Sequence, residues 1–117
     1  MKLLIHSLKG ARAVNSEDII YCKADGNYAN IYLNSLINNE ERKYFVTTKN
    51  LKHLEKLLPK DVFYRIYKSD LINFKYFHEF EVSTCSIIMA NGEKIKIARE
   101  KKAESKEKLL KYFEKYS

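Results

Sequence analysis

The sequence has few of the residues that mark linkers and disordered segments, with three glycines, one proline and no tryptophan among 117 residues. Disordered chains are poor in apolar residues, whereas 45% of this chain is hydrophobic. Gly10, Gly26 and Gly92 are isolated, which excludes a glycine-rich phosphate-binding loop. We therefore expect one ordered domain over residues 1–117, because the chain is too short for a second.

Groups that hold metals or carry catalysis are also scarce. Cys22 and Cys85 are far apart, so they suggest neither a disulfide framework nor a zinc site, and we expect two reduced, buried thiols. The aspartates fall at predicted strand starts and turns, where aspartate bonds the backbone. The histidines show no ligand spacing with one another or with the cysteines; they are His6, His53 and His78. We expect no enzyme, no metal, no cofactor and no small-molecule substrate.

Long hydrophobic runs are absent. The N-terminal "MKLLIHSLKG" begins like a signal peptide, but His6 and Ser7 end the apolar run and no small-residue cleavage site follows. No stretch approaches the ~20 apolar residues that a membrane span requires. The sequence therefore predicts a soluble, cytoplasmic protein.

Negative charge is in deficit, with 15 acidic residues against 22 lysines and arginines, a net charge of +7. The excess favours negatively charged partners, with nucleic acid first and an anionic membrane surface second. Many small soluble proteins are basic without binding DNA, so charge alone does not decide between these.

Most of the chain alternates with the period of a β-strand. The segments Asp18–Ala24 and Tyr28–Asn34 alternate around the turn "ADGN", and Lys43–Thr48 predicts another strand after the polar loop "NSLINNEER". In the second strand, one predicted face carries Ala29, Ile31 and Leu33, and the other carries Tyr28, Asn30 and Tyr32.

Two segments change to the helical period. Asn50 is a candidate cap for a short helix that ends at Pro59. One side of it is predicted to carry Leu51, Leu54, Leu57 and Leu58. From about residue 100 the chain favours a C-terminal helix whose apolar stripe is predicted to be Leu109, Leu110 and Phe113.

The strongest hairpin signal is Asn91-Gly92 within "CSIIMANGEKIKIA". A two-residue type I′ loop would pair Ile88 with Ile95 and Met89 with Lys94. One face would then carry Ser86, Ile88, Ile95 and Ile97, and the other would carry Ile87, Met89, Lys94 and Lys96. Together with the other elements, this predicts a mainly β domain rather than alternating βαβ units.

The stretch "FYRIYKSDLINFKYF" places three cations beside aromatic and branched residues. Its apolar members can form core; they are Phe63, Ile66, Leu71, Ile72 and Phe74. The cations Arg65, Lys68 and Lys75 then either solvate one side of an ordinary strand or face a polyanion.

Three segments carry distinctive motifs that follow one another in a fixed order. "DIIYCKADGNYANIYL" has an acidic residue, an apolar strand and a Gly-Asn-Tyr turn, and "MANGEKIKIAREKK" has a turn glycine and an arginine just past the last strand. Between them, "KNLKHLEKLLPKDVFYRIYKSDLINFKYF" combines a leucine-rich helix, Phe63, an Arg-Ile-Tyr-Lys-Ser core and a Leu-Ile-Asn tail. From about Leu4 to Leu110 the chain resembles the LytTR family of bacterial DNA-binding domains. It departs from that pattern at Tyr67, where histidine is common, and at Ala98, where serine is common.

The resemblance implies a LytTR-type antiparallel β fold of several short strands, with one short internal helix and a C-terminal helix. It further implies sequence-specific binding of double-stranded DNA, at paired direct repeats, in transcriptional regulation. Members are most often output domains of two-component response regulators, and a homodimer on DNA is compatible with such sites. No receiver domain precedes the matching segments here, so a stand-alone regulator and a piece of a longer protein both stay open.

Carried over by position, the DNA-reading loops offer a small set of base-reading residues, namely Asn27, Asn30, Lys68 and Arg99. Lysine or arginine can donate to guanine in the major groove, and asparagine can bridge adenine. Predicted phosphate contacts, which position a domain without reading sequence, are Lys23, Arg65, Ser69, Lys75, Lys94, Lys96, Lys101 and Lys102.

Several of these residues could instead have a purely structural role. Asn27 can serve only the turn, Tyr28 can be packed, and Arg65 can pair with a carboxylate such as Asp70. The C-terminal lysines can form a solvated face, for instance by pairing Lys108 with Glu104. Two other functions also stay open. One is a protein-interaction module that binds an acidic partner through the basic, aromatic surface, and the other is single-stranded nucleic-acid binding.

Overall fold

The computed structural model describes residues 1–34 and 44–116. Ten strands are present in these ranges: β1 (Lys2–Ser7), β2 (Gly10–Asn15), β3 (Ile19–Asp25), β4 (Tyr28–Leu33), β5 (Tyr44–Thr47), β6 (Phe63–Tyr67), β7 (Asp70–Asn73), β8 (Phe77–Glu81), β9 (Ser86–Met89) and β10 (Lys94–Lys96). The helices are α1 (Leu51–Leu57) and α2 (Lys102–Tyr116), and single 3₁₀ turns cover Ser16–Asp18, Phe74–Tyr76 and Arg99–Lys101.

An antiparallel five-stranded sheet in the order β5-β4-β3-β7-β6 divides the molecule into two cores. One core packs α1 and the β1–β2 hairpin against the sheet, and the other packs the β10-β9-β8 sheet and α2 against the opposite face. Because both faces of β3 are covered, its residues from Ile19 to Cys22 are all buried. This mainly β, antiparallel architecture confirms the predicted fold class.

The predicted faces of β4 are confirmed, because Ala29, Ile31 and Leu33 are buried and the alternate residues are at least partly exposed. Strand β5 covers Tyr44–Thr47 of the predicted strand. Lys43 and most of the predicted polar loop lie outside the described residues. The core predicted for "FYRIYKSDLINFKYF" is also confirmed, since its five apolar residues are buried.

Helix α1 begins as the sequence predicts, because the Asn50 side chain accepts a 2.9 Å hydrogen bond from the amide of His53. Leu51, Leu54 and Leu58 are buried, but Leu57 is 41% exposed. The prediction for Leu57 is therefore wrong. The helix ends at Leu57, and extended backbone at Leu58 turns that side chain into the core instead.

The predicted register of the β9–β10 hairpin is wrong by one residue. Lys94 pairs with Ile88 and Ile95 with Ile87. The Gly92 amide donates to the Met89 carbonyl, which leaves a three-residue loop with Gly92 at φ +89°. Such a loop is a turn followed by a glycine bulge. The shift buries Ile87, Met89, Ile95 and Ile97 together and leaves Ile88 only half-buried.

Two further predictions are corrected by burial. On α2, Leu110 is 65% exposed, whereas Leu109 and Tyr112 pack against the second core. The predicted stripe is therefore right for Leu109, and the Phe113 ring contacts that of Phe77, but Tyr112 takes the place predicted for Leu110. Cys22 is buried and free, as expected, but Cys85 is free and only half-buried.

Candidate nucleic-acid interface

Two tight turns lie side by side at one end of the five-stranded sheet. The β3–β4 turn consists of Gly26 and Asn27, and the β6–β7 turn consists of Lys68 and Ser69. A 2.8 Å backbone hydrogen bond from the amide of Ala24 to the carbonyl of Ser69 joins the two hairpins. Gly26 has a φ of +62°, which favours glycine. Asn27 and Lys68 are both exposed, so two of the predicted base-reading residues project from adjacent turns.

Arg65 holds the backbone of the β6–β7 turn. Its Nε and Nη2 atoms donate to the carbonyl oxygen of Lys68 at 3.2 and 2.5 Å. Its Nη1 atom donates to Glu55 Oε1 on α1 at 3.0 Å. Each guanidinium nitrogen thus donates to a protein acceptor. The internal carboxylate that pairs with Arg65 is Glu55, not Asp70.

A third segment, which follows β10, runs beside the same turn. The 3₁₀ turn Arg99–Lys101 brings Arg99 to the rim of a shallow depression of about 290 Å³, which Lys68 also lines. The Lys101 ammonium donates to the carbonyl of Arg65 at 2.6 Å, which fixes this segment against β6. Lys68 and Arg99 are exposed and share one concave surface.

The two positions that depart from the family pattern lie in this depression. Tyr67 is half-buried, and the Lys96 ammonium lies 6.0 Å from the centre of its ring, at the limit of a cation–π contact. Ala98 precedes the 3₁₀ turn and provides no side-chain cap. Its amide donates to the carbonyl of Ile66 at 3.1 Å, so a backbone hydrogen bond anchors this position.

Between the two turns, the sheet aligns three polar residues. Lys23 pairs in register with Asn30 on one side and Asp70 on the other. Asn30 is half-buried, and its Oδ1 atom has no hydrogen-bond partner within the described residues. Burial raises the pKa of Asp70, although the 2.8 Å hydrogen bond from Ser69 and the charge of Lys23 oppose this rise. Asn30 therefore lies on the sheet face rather than in the turn.

The remaining predicted phosphate contacts are dispersed. Lys94 is paired with Glu81 at 2.7 Å, and Lys102 is half-buried at the start of α2. Lys75 follows β7, whereas Lys68 precedes it, so these two lysines lie at opposite ends of the sheet. The structure therefore does not bring Lys75 to the end of the sheet that carries the two turns.

Sequence reasoning missed part of this surface. Tyr28 is 40% exposed beside the β3–β4 turn, so the alternative in which it is packed is wrong. Lysines that lie beside Arg65 were also missed, among them Lys52 and Lys56. These two are four positions apart on the predicted helix, so the sequence could have placed them on one face. The predicted pairing of Lys108 with Glu104 is not observed, and Glu104 instead accepts a 2.6 Å hydrogen bond from Tyr64.

Two other kinds of site are absent from residues 1–34 and 44–116. No group of three histidine, cysteine, aspartate or glutamate side chains in these ranges is arranged to hold a metal ion. No helix in the same ranges is long and apolar enough to cross a membrane.

Comparison with known proteins identifies relatives of this architecture. The family model of the LytTr DNA-binding domain matches residues 9–110. Among solved structures, the chain is similar to the LytTr DNA-binding domain of a Bacillus cereus protein described as a methyl-accepting/DNA response regulator, with a TM-score of 0.71 and 22% identity. That match covers 93% of this chain and 95% of the other. A search of the curated proteins returned no match.

Proposed function

The chain belongs to the LytTR family of DNA-binding domains, and on this premise we propose that it reads a specific sequence in double-stranded DNA. The observation that carries the proposal is the shared depression lined by Lys68 and Arg99. Both side chains are exposed, and both belong to backbone segments that hydrogen bonds fix. Lysine and arginine donate to O6 and N7 of guanine in the major groove.

Asn27 is the third proposed base-reading residue, because it projects from the neighbouring turn. Asn30 would need to turn its buried oxygen outward to read a base, so we assign it a supporting position. The proposed phosphate contacts are Lys23, Ser69, Lys96 and Lys102, and we assign Lys94 to its ion pair with Glu81. We assign Arg65 and Lys101 to holding the β6–β7 turn, because protein acceptors already engage them.

We further propose that the whole chain acts as one cytoplasmic DNA-binding domain in bacterial transcriptional regulation, as the output of a response regulator. The family match supports this role. Paired direct repeats, each bound by one copy of a homodimer, are the proposed arrangement on DNA. The family is one of DNA-binding rather than catalytic domains, which agrees with the expectation that the protein is not an enzyme.

Fluorescence anisotropy with labelled duplex across a range of salt concentrations tests this proposal. If about six phosphates are neutralised, the logarithm of the association constant should fall against the logarithm of salt with a slope near −5. Unlabelled duplex should compete better than a single strand of the same length. Binding that is independent of salt, or equal competition by single strands, would contradict the proposal.

A further inference from the structure

A second basic surface lies beside the proposed reading residues, in a cleft between α1 and α2. The cleft has a volume of about 440 Å³ and is lined by six cations against two carboxylates. Its formal excess is therefore four positive charges within one concave surface. Apart from Arg65 and Lys101, the cations are Lys52, Lys56, Lys60 and Lys108.

The two carboxylates of the cleft are already engaged. Glu55 accepts from Arg65 at 3.0 Å, and Glu104 accepts from Tyr64 at 2.6 Å. Burial raises the pKa of Tyr64 to about 12, so at neutral pH this phenol stays protonated and can donate. The four cleft lysines make no ion pair or hydrogen bond within the part of the chain that the structure describes. Their charge is therefore available to an external anion.

The cleft adjoins the proposed base-reading surface. Arg65 forms one wall, and its guanidinium holds the turn that carries Lys68. Lys101 forms part of another wall and belongs to the same 3₁₀ turn as Arg99. A polyanion that passes beyond Lys68 and Arg99 on this side would therefore reach the cleft.

The cleft lacks the features of a protein-docking site. The two aromatic residues that line it, Phe63 and Tyr64, are only 6% and 8% exposed. Protein interfaces gain most of their affinity from a few anchors, often aromatic, that fill pockets of the partner. Lys52 and Lys56 are one helical turn apart, about 6 Å along the axis, and thus present separate charges along a line. Such a row suits a chain of repeated negative charges.

We propose that this cleft binds the sugar-phosphate backbone of the same duplex, on the side that flanks the bases read by Lys68 and Arg99. This inference rests on the proposed function. It adds four phosphate contacts that the family pattern did not indicate in this sequence, so about ten contacts in all would give the unaltered chain a salt slope near −9. Because these lysines lie away from the reading turns, they contribute affinity without selecting bases.

The test replaces Lys52, Lys56, Lys60 and Lys108 together by glutamine and measures duplex binding against salt. Each phosphate contact contributes about 0.9 to the slope of log K against log salt, so the slope should become shallower by about 3 to 4. The DNA motif selected from random duplexes should stay unchanged. A matched control replaces four exposed lysines that do not line the cleft, Lys2, Lys9, Lys75 and Lys106, and should change the slope by less than about 1.

Equal changes in the two quadruple variants would overturn the inference, because net charge rather than the cleft would then be responsible. An unchanged slope would overturn it too, and loss of polyglutamate binding in the cleft variant would then assign the cleft to an acidic protein segment. A changed motif would also contradict it. If the unaltered protein bound no duplex, the proposed function would fail together with this inference, whereas the other outcomes leave the proposed function intact.

Discussion

Substitution of Arg65 by lysine separates two roles that a cation beside DNA can have. Lysine keeps the charge but loses the planar fork that reaches the Lys68 carbonyl and Glu55 simultaneously. A phosphate contact would survive this change, because a phosphate accepts an ammonium. A residue that holds the β6–β7 turn would lose most of its hydrogen bonds.

The size of the effect follows from the contacts of Arg65. Hydrogen bonds that involve a charged group contribute about 1.5–3 kcal/mol, and the two bonds to the Lys68 carbonyl are exposed, which places them at the low end. The Arg65 and Glu55 side chains are 23% and 44% exposed, so their ion pair contributes at most about 1 kcal/mol. Allowing for one hydrogen bond that lysine can re-form, we expect Arg65→Lys to cost about 1–2 kcal/mol in the free energy of unfolding. Without these bonds the backbone at Lys68 is held less firmly. The affinity ratio between the preferred base pair that Lys68 contacts and an altered base pair should therefore fall about tenfold, which corresponds to about 1.4 kcal/mol.

The assay compares the preferred duplex with duplexes that carry one altered base pair at each position. Arg65→Lys should lose discrimination at the position that Lys68→Ala also affects, with the salt slope unchanged. Thermal unfolding checks that both variants remain folded. If Arg65→Lys retained full discrimination while Arg65→Gln made the salt slope shallower by about 0.9, Arg65 would be a phosphate contact and the reasoning would be refuted.

Three further substitutions test the fold. Asn73→Ala removes a buried 2.9 Å hydrogen bond to the Ile19 carbonyl and the 2.9 Å bond that caps the Lys75 amide. Urea unfolding should show a decrease of about 2–4 kcal/mol in the free energy of unfolding. A decrease under about 0.5 kcal/mol would contradict this. Gly92→Ala meets no steric obstacle but forces alanine to a φ of +89°. It should therefore lower the free energy of unfolding by about 1–2 kcal/mol. An unchanged free energy of unfolding would argue against the three-residue loop. Asp70 has a pKa raised above its usual 3.8 by burial, so its ionisation disfavours folding above the folded-state pKa and has no effect well below 3.8. Asp70→Asn should therefore raise stability at pH 7, and this gain should disappear as the pH falls toward 3.8; a gain that persists in acid would contradict the assignment.

Local patterns predicted most elements of the fold. Alternation placed the faces of β4 correctly, because that strand has one buried and one partly exposed face. The Asn50 cap and Pro59 bounded α1, because they act within a few residues of the helix ends. The β1–β2 hairpin escaped prediction, since the alternation in "KLLIHS" and "GARAVN" is weak and its packing against the first core involves residues distant in sequence.

The errors share a physical origin in tertiary packing. Asn91-Gly92 fits a two-residue or a three-residue loop, and the choice depends on whether Ile87 or Ile88 reaches the second core. On α2, helical spacing allows either Leu110 or Tyr112 to accompany Leu109, and docking against the second core selects Tyr112 and exposes Leu110.

The sequence predicted which residue types the candidate site would contain, but not their partners. Arg65 bonds Glu55 ten positions away, and Lys101 bonds the Arg65 carbonyl 36 positions away. No spacing rule connects such pairs, so the sequence alone does not distinguish a cation that bonds to the protein from one that faces solvent. Only the folded arrangement separates the residues that hold the turn from Lys68 and Arg99, which are left exposed.

The central claim is that Lys68 and Arg99 read bases from one surface. The most direct test selects binding sites from random duplexes at ~0.15 M salt. The selection is carried out with the unaltered chain, with Lys68→Ala, with Arg99→Ala and with Lys75→Ala, a control at the far end of the sheet. The account predicts one repeated short motif, which Lys68→Ala and Arg99→Ala each relax at particular positions and Lys75→Ala leaves unchanged. Recovery of no motif, or of the same motif with all three variants, would contradict it.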